Sequence, residues 1–187
     1  MTYKVVVAPS EEPVTLAEAK AHCRIDGSEF DAIIPGLITS ARELAEHETG
    51  RAFCSQTREL VLDTFPDAFE LRGAPIVSLA SVKYLDSSGV EQTLDPNDTL
   101  LDKDSEPGWL MPAYGKAWPS SYPVPNAVRV RYVCGYGGAA DVPESIKAWI
   151  KLAVGFGVSN TDALVTGSLS ELPGRFWDRL LDPHKVY

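Results

Sequence analysis

Between Phe30 and Ala45 the apolar residues recur at the spacing of one helix face, and from Gln56 onward they recur at every second position. That change of period, from 3.6 to 2, constrains the fold more than any motif in the chain. The helical stretch carries Phe30, Ile33, Ile34, Leu37, Ile38, Ala41, Leu44 and Ala45, a single continuous stripe. Arg42, Glu43, Glu46 and His47 fall mostly on the opposite face. Ser28-x-x-Asp31 opens the helix, Gly50 ends it, and Pro35 predicts a kink or a late start because it removes an amide and crowds the preceding turn. The alternating stretches predict strands over 56–63, 68–72, 79–86, 90–94, 99–102, 108–112 and 127–134.

The remaining segments fit around these two blocks. Residues 1–14 read as an extended arm, with Pro9 and Pro13 limiting regular structure. Thr15-x-x-Glu18 is a capping box, and the helix it starts runs to about Arg24, stopped by Asp26-Gly27. Ser87-Ser88-Gly89 makes a hairpin turn and Asp95-Pro96-Asn97-Asp98 a second turn. Residues 112–126, rich in proline and aromatics, read as an ordered irregular loop. Asp141-Val-Pro143-Glu144 supplies an N-cap acid, an early proline and a closing glutamate for a third helix. Its stripe is Ile146, Trp149, Ile150, Ala153, Val154 and Val158; Gly155 and Gly157 suit a neighbour that packs very close. Residues 159–170 read as a polar, mobile stretch. Pro173 to Leu181 predicts a short last helix with Phe176, Trp177, Leu180 and Leu181 inward, and Asp182 to Tyr187 has no evident partner in its own chain.

Two helical ends around a run of strands argue an α+β fold, not an alternating α/β one. The expected architecture is a helical bundle from the N- and C-terminal helices with an inserted antiparallel β-rich lobe. The chain, 187 residues and 44% hydrophobic, reads as a single domain. Within it, residues 15–50 and 141–181 are the bundle, 56–136 the lobe and 182–187 a terminal tail. No apolar run approaches the roughly 18 residues of a membrane span. The start of the chain has too short an apolar core for a signal peptide, so the expected site of synthesis is the cytoplasm.

Chemistry is scarce. Cys23, Cys54 and Cys134 are scattered, without the spacing of a zinc site or a disulfide framework. His22, His47 and His184 read as solvated surface or tail residues. Asp102, Asp104 and Glu106 imitate a calcium loop poorly, lacking glycine at its sixth position. Gly135-Tyr-Gly137-Gly-Ala-Ala140 satisfies G-x-G-x-x-A, the dinucleotide-binding pattern. That pattern needs a parallel strand after the helix and bare amides for the pyrophosphate; here more helix signal follows, and Asp141 and Glu144 crowd the helix start. Gly135, Gly137 and Gly138 are therefore expected to let the chain turn from lobe to bundle. No catalytic, metal or cofactor-binding residue is assigned, and the chain is not read as an enzyme. The net charge of −9 argues against binding nucleic acid by phosphate neutralisation, and it suits a surface that DNA passes without sticking.

The ordered pieces EPVTLAEAKAHCRIDGSEFDAIIPGLITSARELAEHETGRAF, PDAFELRGAPIVSLASVKYLD, GVEQTL, GKAWP, PNAVRVRYVCGYG and VPESIKAWI resemble the head–tail connector (adaptor) family of long-tailed bacteriophages and gene transfer agents. The resemblance spans Val5 to Tyr187. It implies a structural protein of the virion neck that forms a ring, usually twelve-fold, under the portal. Such a ring extends the DNA channel and offers a surface to the next neck or tail-completion protein. The implied partners are other copies of the chain, the portal protein and that downstream protein, with DNA passing through unread and no membrane involved. It also implies that the C-terminal segment docks on the portal, through Phe176, Trp177, His184, Lys185, Val186 and Tyr187. Trp109, Trp118 and Tyr122 are candidates for a neighbour interface. The alternative is a stand-alone β-lobe module that binds peptide or glycan through the Trp109/Trp118 loop.

Overall fold

The computed structural model describes residues 2–160, 177 and 179–186. They comprise strands β1 (Thr2–Val7), β2 (Gln56–Leu62), β3 (Phe69–Leu71), β4 (Ile76–Leu85), β5 (Glu91–Thr93), β6 (Thr99–Asp102), β7 (Gly108–Pro112) and β8 (Val128–Cys134), with helices α1 (Leu16–Cys23), α2 (Ile34–Thr49) and α3 (Glu144–Ser159). The fold is α+β with antiparallel sheets. It separates into two compact units: one of residues 1–10, 55–136 and 186–187, the other of residues 11–54 and 137–185.

The strand unit holds a five-stranded sheet in the order β1-β2-β8-β4-β5 and a three-stranded sheet β3-β7-β6. Alternation in β8 decides the faces. Val128, Val130, Tyr132 and Cys134 are buried, whereas Arg129 and Arg131 are exposed. The buried row packs towards the small sheet: the Tyr132 hydroxyl donates to the Arg72 carbonyl at 2.8 Å and the Tyr3 hydroxyl to the Glu70 carbonyl at 2.9 Å. Leu60, Val82, Phe69, Leu71 and Leu110 complete that core. One face of the large sheet is thus dry and the other is the wetter one, with Arg129 and Arg131 exposed but Glu59 and Val61 buried. The expected extended arm is a correction: Thr2 to Val7 pairs with β2, with a bulge between Val5 and Val7. Its prolines lie beyond the strand, at positions where no ladder bond is needed.

The helical unit packs α2 and α1 against α3. Thr15 and Glu18 form the expected reciprocal cap. The stop is Arg24 in the left-handed conformation, its amide returning to Ala21 and Lys20, so Asp26-Gly27 is not the terminator. Pro35 has the second of its two predicted effects. Residues 29–33 form turns and α2 begins at Ile34 with the proline in its first turn, where a missing amide costs nothing. The buried side of α2 is rotated from the expected stripe. Leu44 and Ile33 are about half exposed, at 52% and 50%, while Arg42 and Glu46 are buried. The two charges tolerate burial because they pair: Arg42 bonds Glu46 at 3.1 Å and Glu12 at 2.8 Å, and Glu46 also accepts the Phe53 amide at 2.7 Å. On α3, a Cβ at Gly157 would stand 3.0 Å from Leu37 of α2, the close approach its glycine anticipates. Asp141 does not cap α3: Pro143 is the N-cap residue, and α3 starts at Glu144.

Candidate functional site

Three places carry the residues singled out from the sequence. At the glycine cluster, Gly135 and Gly137 sit at φ 116 and φ 133, a region open to glycine and strained for other residues. Gly138, at φ −78, lies outside that region, but a Cβ there would stand 2.9 Å from the Glu11 carboxylate. The boundary between the two units falls between Tyr136 and Gly137. The amides that a pyrophosphate would require are already taken by the chain's own carboxylates. Gly138 donates to Asp141 at 2.9 Å and Ala139 to Glu11 at 3.0 Å. A bound anion would have to displace both acids. Asp141 acts one turn earlier than expected, closing the glycine turn.

The C-terminal segment is anchored more firmly than its sequence suggests. Trp177 meets Trp149 edge to face at 5.9 Å between centroids and Phe156 at 6.2 Å. Leu181 is buried, and a short 3-10 turn over Asp182–His184 follows it. His184 is held from two sides: its ring Nε2 lies 2.7 Å from the Ser145 hydroxyl, and its carbonyl accepts from Arg51 Nε at 2.5 Å. Burial, helped by the nearby Arg51 charge, holds the His184 pKa below the ordinary value. The expectation that residues 182–187 lack a partner in their own chain is therefore corrected for His184. Lys185 bonds Asp182 one turn back at 2.8 Å, and Val186 is half-buried. Phe176 and Tyr187 lie outside the described residues. Leu44, Glu48, Trp149, Leu181 and Lys185 line a cleft of about 370 Å³, and the buried Trp149 Nε1 has no acceptor among the described residues.

The aromatic candidates of the strand unit do not converge. Trp118 is stacked on Phe65 at 5.1 Å and on Phe69 at 5.0 Å, and its Nε1 reaches the Asp67 carbonyl at 3.4 Å. Trp109 sits opposite Glu70 in the ladder, whereas Phe69 sits opposite Leu110. Strand alternation therefore puts Trp109 and the Trp118 contact on opposite faces of the small sheet. Tyr122 is 39% exposed. A joint Trp109/Trp118 platform for sugar or peptide is not built. The acidic loop is likewise self-satisfied: Asp102 accepts from the Ser105 hydroxyl at 2.7 Å and from the amides of Asp104 and Ser105, which hold its carboxyl below the usual range. Among the described residues no cluster of three His, Cys, Asp or Glu could hold a metal. Burial raises the Cys54 thiol to about 11, which leaves it inert as a nucleophile. No helix among the described residues is long and apolar enough to cross a membrane.

One surface was not anticipated. The wet face of the large sheet aligns Lys4, Glu59 and Arg131 in one row, and Val61, Arg129 and Lys83 in the next. Glu59 is buried between Arg131 at 2.7 Å and Lys4 at 3.9 Å; Lys83 holds Glu91 at 2.8 Å. Four cations against two carboxylates make a basic face in an acidic chain. Alternation in VRVRYVC was the available signal, but the row needs the pairing partners.

Residues 13–92 match the family described as "Phage gp6-like head-tail connector protein", so the resemblance to head–tail connectors stands over that stretch. Twelve chains of solved structures match. A chain from the "neck of empty GTA particle computed with C6 symmetry" has a TM-score of 0.82 at 19% identity, covering 100% of this chain and 96% of its own. A chain from the "virion of native gene transfer agent (GTA) particle" has a TM-score of 0.80 at 19% identity, with the same coverage of both chains. A third, from the "neck of native GTA particle computed with C12 symmetry", has a TM-score of 0.75 at 17% identity. No curated protein matches. The fold of the whole chain is thus shared with neck chains of gene transfer agent particles.

Proposed function

We propose that this chain is a structural head–tail connector, a subunit of the virion neck. Copies form a ring under the portal, extend the DNA channel and present the attachment surface for the next neck or tail protein. The observation that carries this reading is the coincidence of the family match over residues 13–92 with fold likeness over the full chain to neck chains. The site chemistry supports it: the one cofactor-like motif has its amides filled by Asp141 and Glu11, and the role assigned includes no catalysis. The acidic balance suits a channel wall along which DNA must slide. Assembly takes place in the host cytoplasm and the product resides in the neck.

In this reading residues 15–50 and 141–181 supply the ring-forming helical bundle and 56–136 the inserted lobe, within one domain. The tail 182–187 docks on the portal through Lys185, Val186 and Tyr187, with Phe176 and Trp177 at its base. His184 serves as the anchor that fixes where the tail leaves the bundle. Gly135 and Gly137 form the turn between lobe and bundle, and Trp109 and Tyr122 remain the exposed aromatics for a neighbour. Deleting residues 185–187, beyond the His184 anchor, should leave the unfolding curve unchanged and abolish co-sedimentation with the portal protein. Full co-sedimentation of that truncated chain would remove the tail from the docking site.

A further inference from the structure

The large sheet ends in two open strands. β1 is one edge, and Val5, Val6 and Val7 on it are 53%, 41% and 56% exposed. An apolar edge with free backbone groups invites another strand, and natural chains usually guard such edges. β5 is the other edge; Glu91, Gln92 and Thr93 are all exposed, and Val90 before them is 54% exposed.

Direction follows from strand count. All four ladders of this sheet are antiparallel, so the first and fifth strands run the same way. If a second copy continues the sheet head to tail, its β5 lies parallel to β1. A two-fold pairing of β1 with β1 would instead be antiparallel, close as a dimer and leave both β5 edges open. Charge follows from the face. Lys4 aligns with Glu59 and Arg131, and Lys83 aligns with Arg129 and Thr93, all on the wet face. Glu91, two residues from Thr93 and bonded to Lys83, is on that face too. Across the sheet the wet face thus runs from the Lys4 cation at one edge to the Glu91 carboxylate at the other. Lys4 shares its row with Arg131 and Ser81, whereas Glu91 shares its row with Leu85, so a next copy displaced along the strand by that offset would set its Glu91 beside Lys4, a pair of opposite charges.

From these open edges, their shared direction and the matching charges, we infer that β1 of one copy pairs in parallel with β5 of a second copy, Lys4 beside Glu91. The contact is heterologous, one edge against the other, and so it can repeat around a ring. This inference rests on the connector reading and names the strand contact between its subunits.

Cysteine cross-linking of the full chain tests it. Lys4→Cys/Glu91→Cys, oxidised in solution and on the portal protein, should give a ladder of covalent dimers, trimers and higher species. Each single variant should match the parent chain, whose half-buried Cys23 sets the background. The charge swap Lys4→Glu/Glu91→Lys should recover the assembly that each single reversal weakens. Unfolding curves keep the variants comparable, since both positions are exposed. Dimers from Lys4→Cys alone would mean two-fold β1 pairing and overturn the inference. Rings or portal-bound assemblies without a ladder would overturn it and leave the connector reading standing. A ladder in a chain that never binds portal protein would support the strand contact and sink the connector reading.

Discussion

Replacing Glu46 tests how the helical unit is held together. Its carboxylate does two jobs in a buried place: one oxygen pairs with Arg42 at 3.1 Å, the other accepts the Phe53 amide at 2.7 Å. The second bond ties the chain after α2 back onto the helix. Glu46→Ala removes both. A buried ion left without one of its partners costs about 3–5 kcal/mol, and an orphaned buried amide about 1–3 kcal/mol. Arg42 keeps Glu12 at 2.8 Å, which offsets part of the first loss. The expected total is therefore about 3–4 kcal/mol, a large share of the roughly 5–15 kcal/mol that holds a typical domain. Glu46→Gln retains an acceptor for Phe53 and loses only the charge, so about 1–2 kcal/mol is expected. Urea unfolding followed by tryptophan fluorescence gives the differences, and hydrogen exchange of the α2 amides assigns them to the helical unit. Glu46→Ala within 1 kcal/mol of the parent, or Glu46→Gln as damaging as the alanine, would refute the reasoning.

Three further outcomes follow from the same geometry. Gly155→Ala should stabilise by about 0.5–1 kcal/mol, because its Cβ would meet Cys23 and His22 only at 3.8 and 3.9 Å; Gly157→Leu should destabilise by about 1–3 kcal/mol against Leu37, both read from urea midpoints. Gly137→Val should cost at least about 2 kcal/mol in the same assay, since φ 133 excludes a branched residue and its Cβ would collide with the Asp141 carboxylate. The depressed His184 pKa means the folded state favours the neutral ring. Stability from this group is present above the ordinary histidine value and falls as pH drops through it towards the folded-state value. Proton NMR should place the His184 titration below the ordinary histidine value, and His184→Gln should flatten the stability profile between pH 7 and 5.

Much of the strand unit was legible because its signals are local. VRVRYVC alternates cleanly, and each turn is marked by Asp, Pro, Ser or Gly, so all seven expected strands lie within a few residues of the observed ones. β1 was missed because Val5-Val6-Val7 does not alternate, a consequence of an edge strand with a bulge and little to bury. Arg42 and Glu46 were placed outward because they fall off the apolar stripe of α2. Glu12, thirty residues earlier, and the Phe53 amide help make their burial tolerable. His184 finds its partner 133 residues away in Arg51, a pairing no local pattern announces. Asp141 was read as a helix cap because Asp-x-Pro-Glu is a cap pattern; the preceding glycines offered it a closer amide. The glycine motif was read from its surroundings, first the helix signal that follows it in the sequence and then the carboxylates of Asp141 and Glu11 on the amides of Gly138 and Ala139.

Electron microscopy of the full chain mixed with its portal protein tests the central claim most directly. The account expects a closed ring seated under the portal, with the chain after His184 entering the portal. Particles of bare portal, with this chain left monomeric beside them, would contradict it.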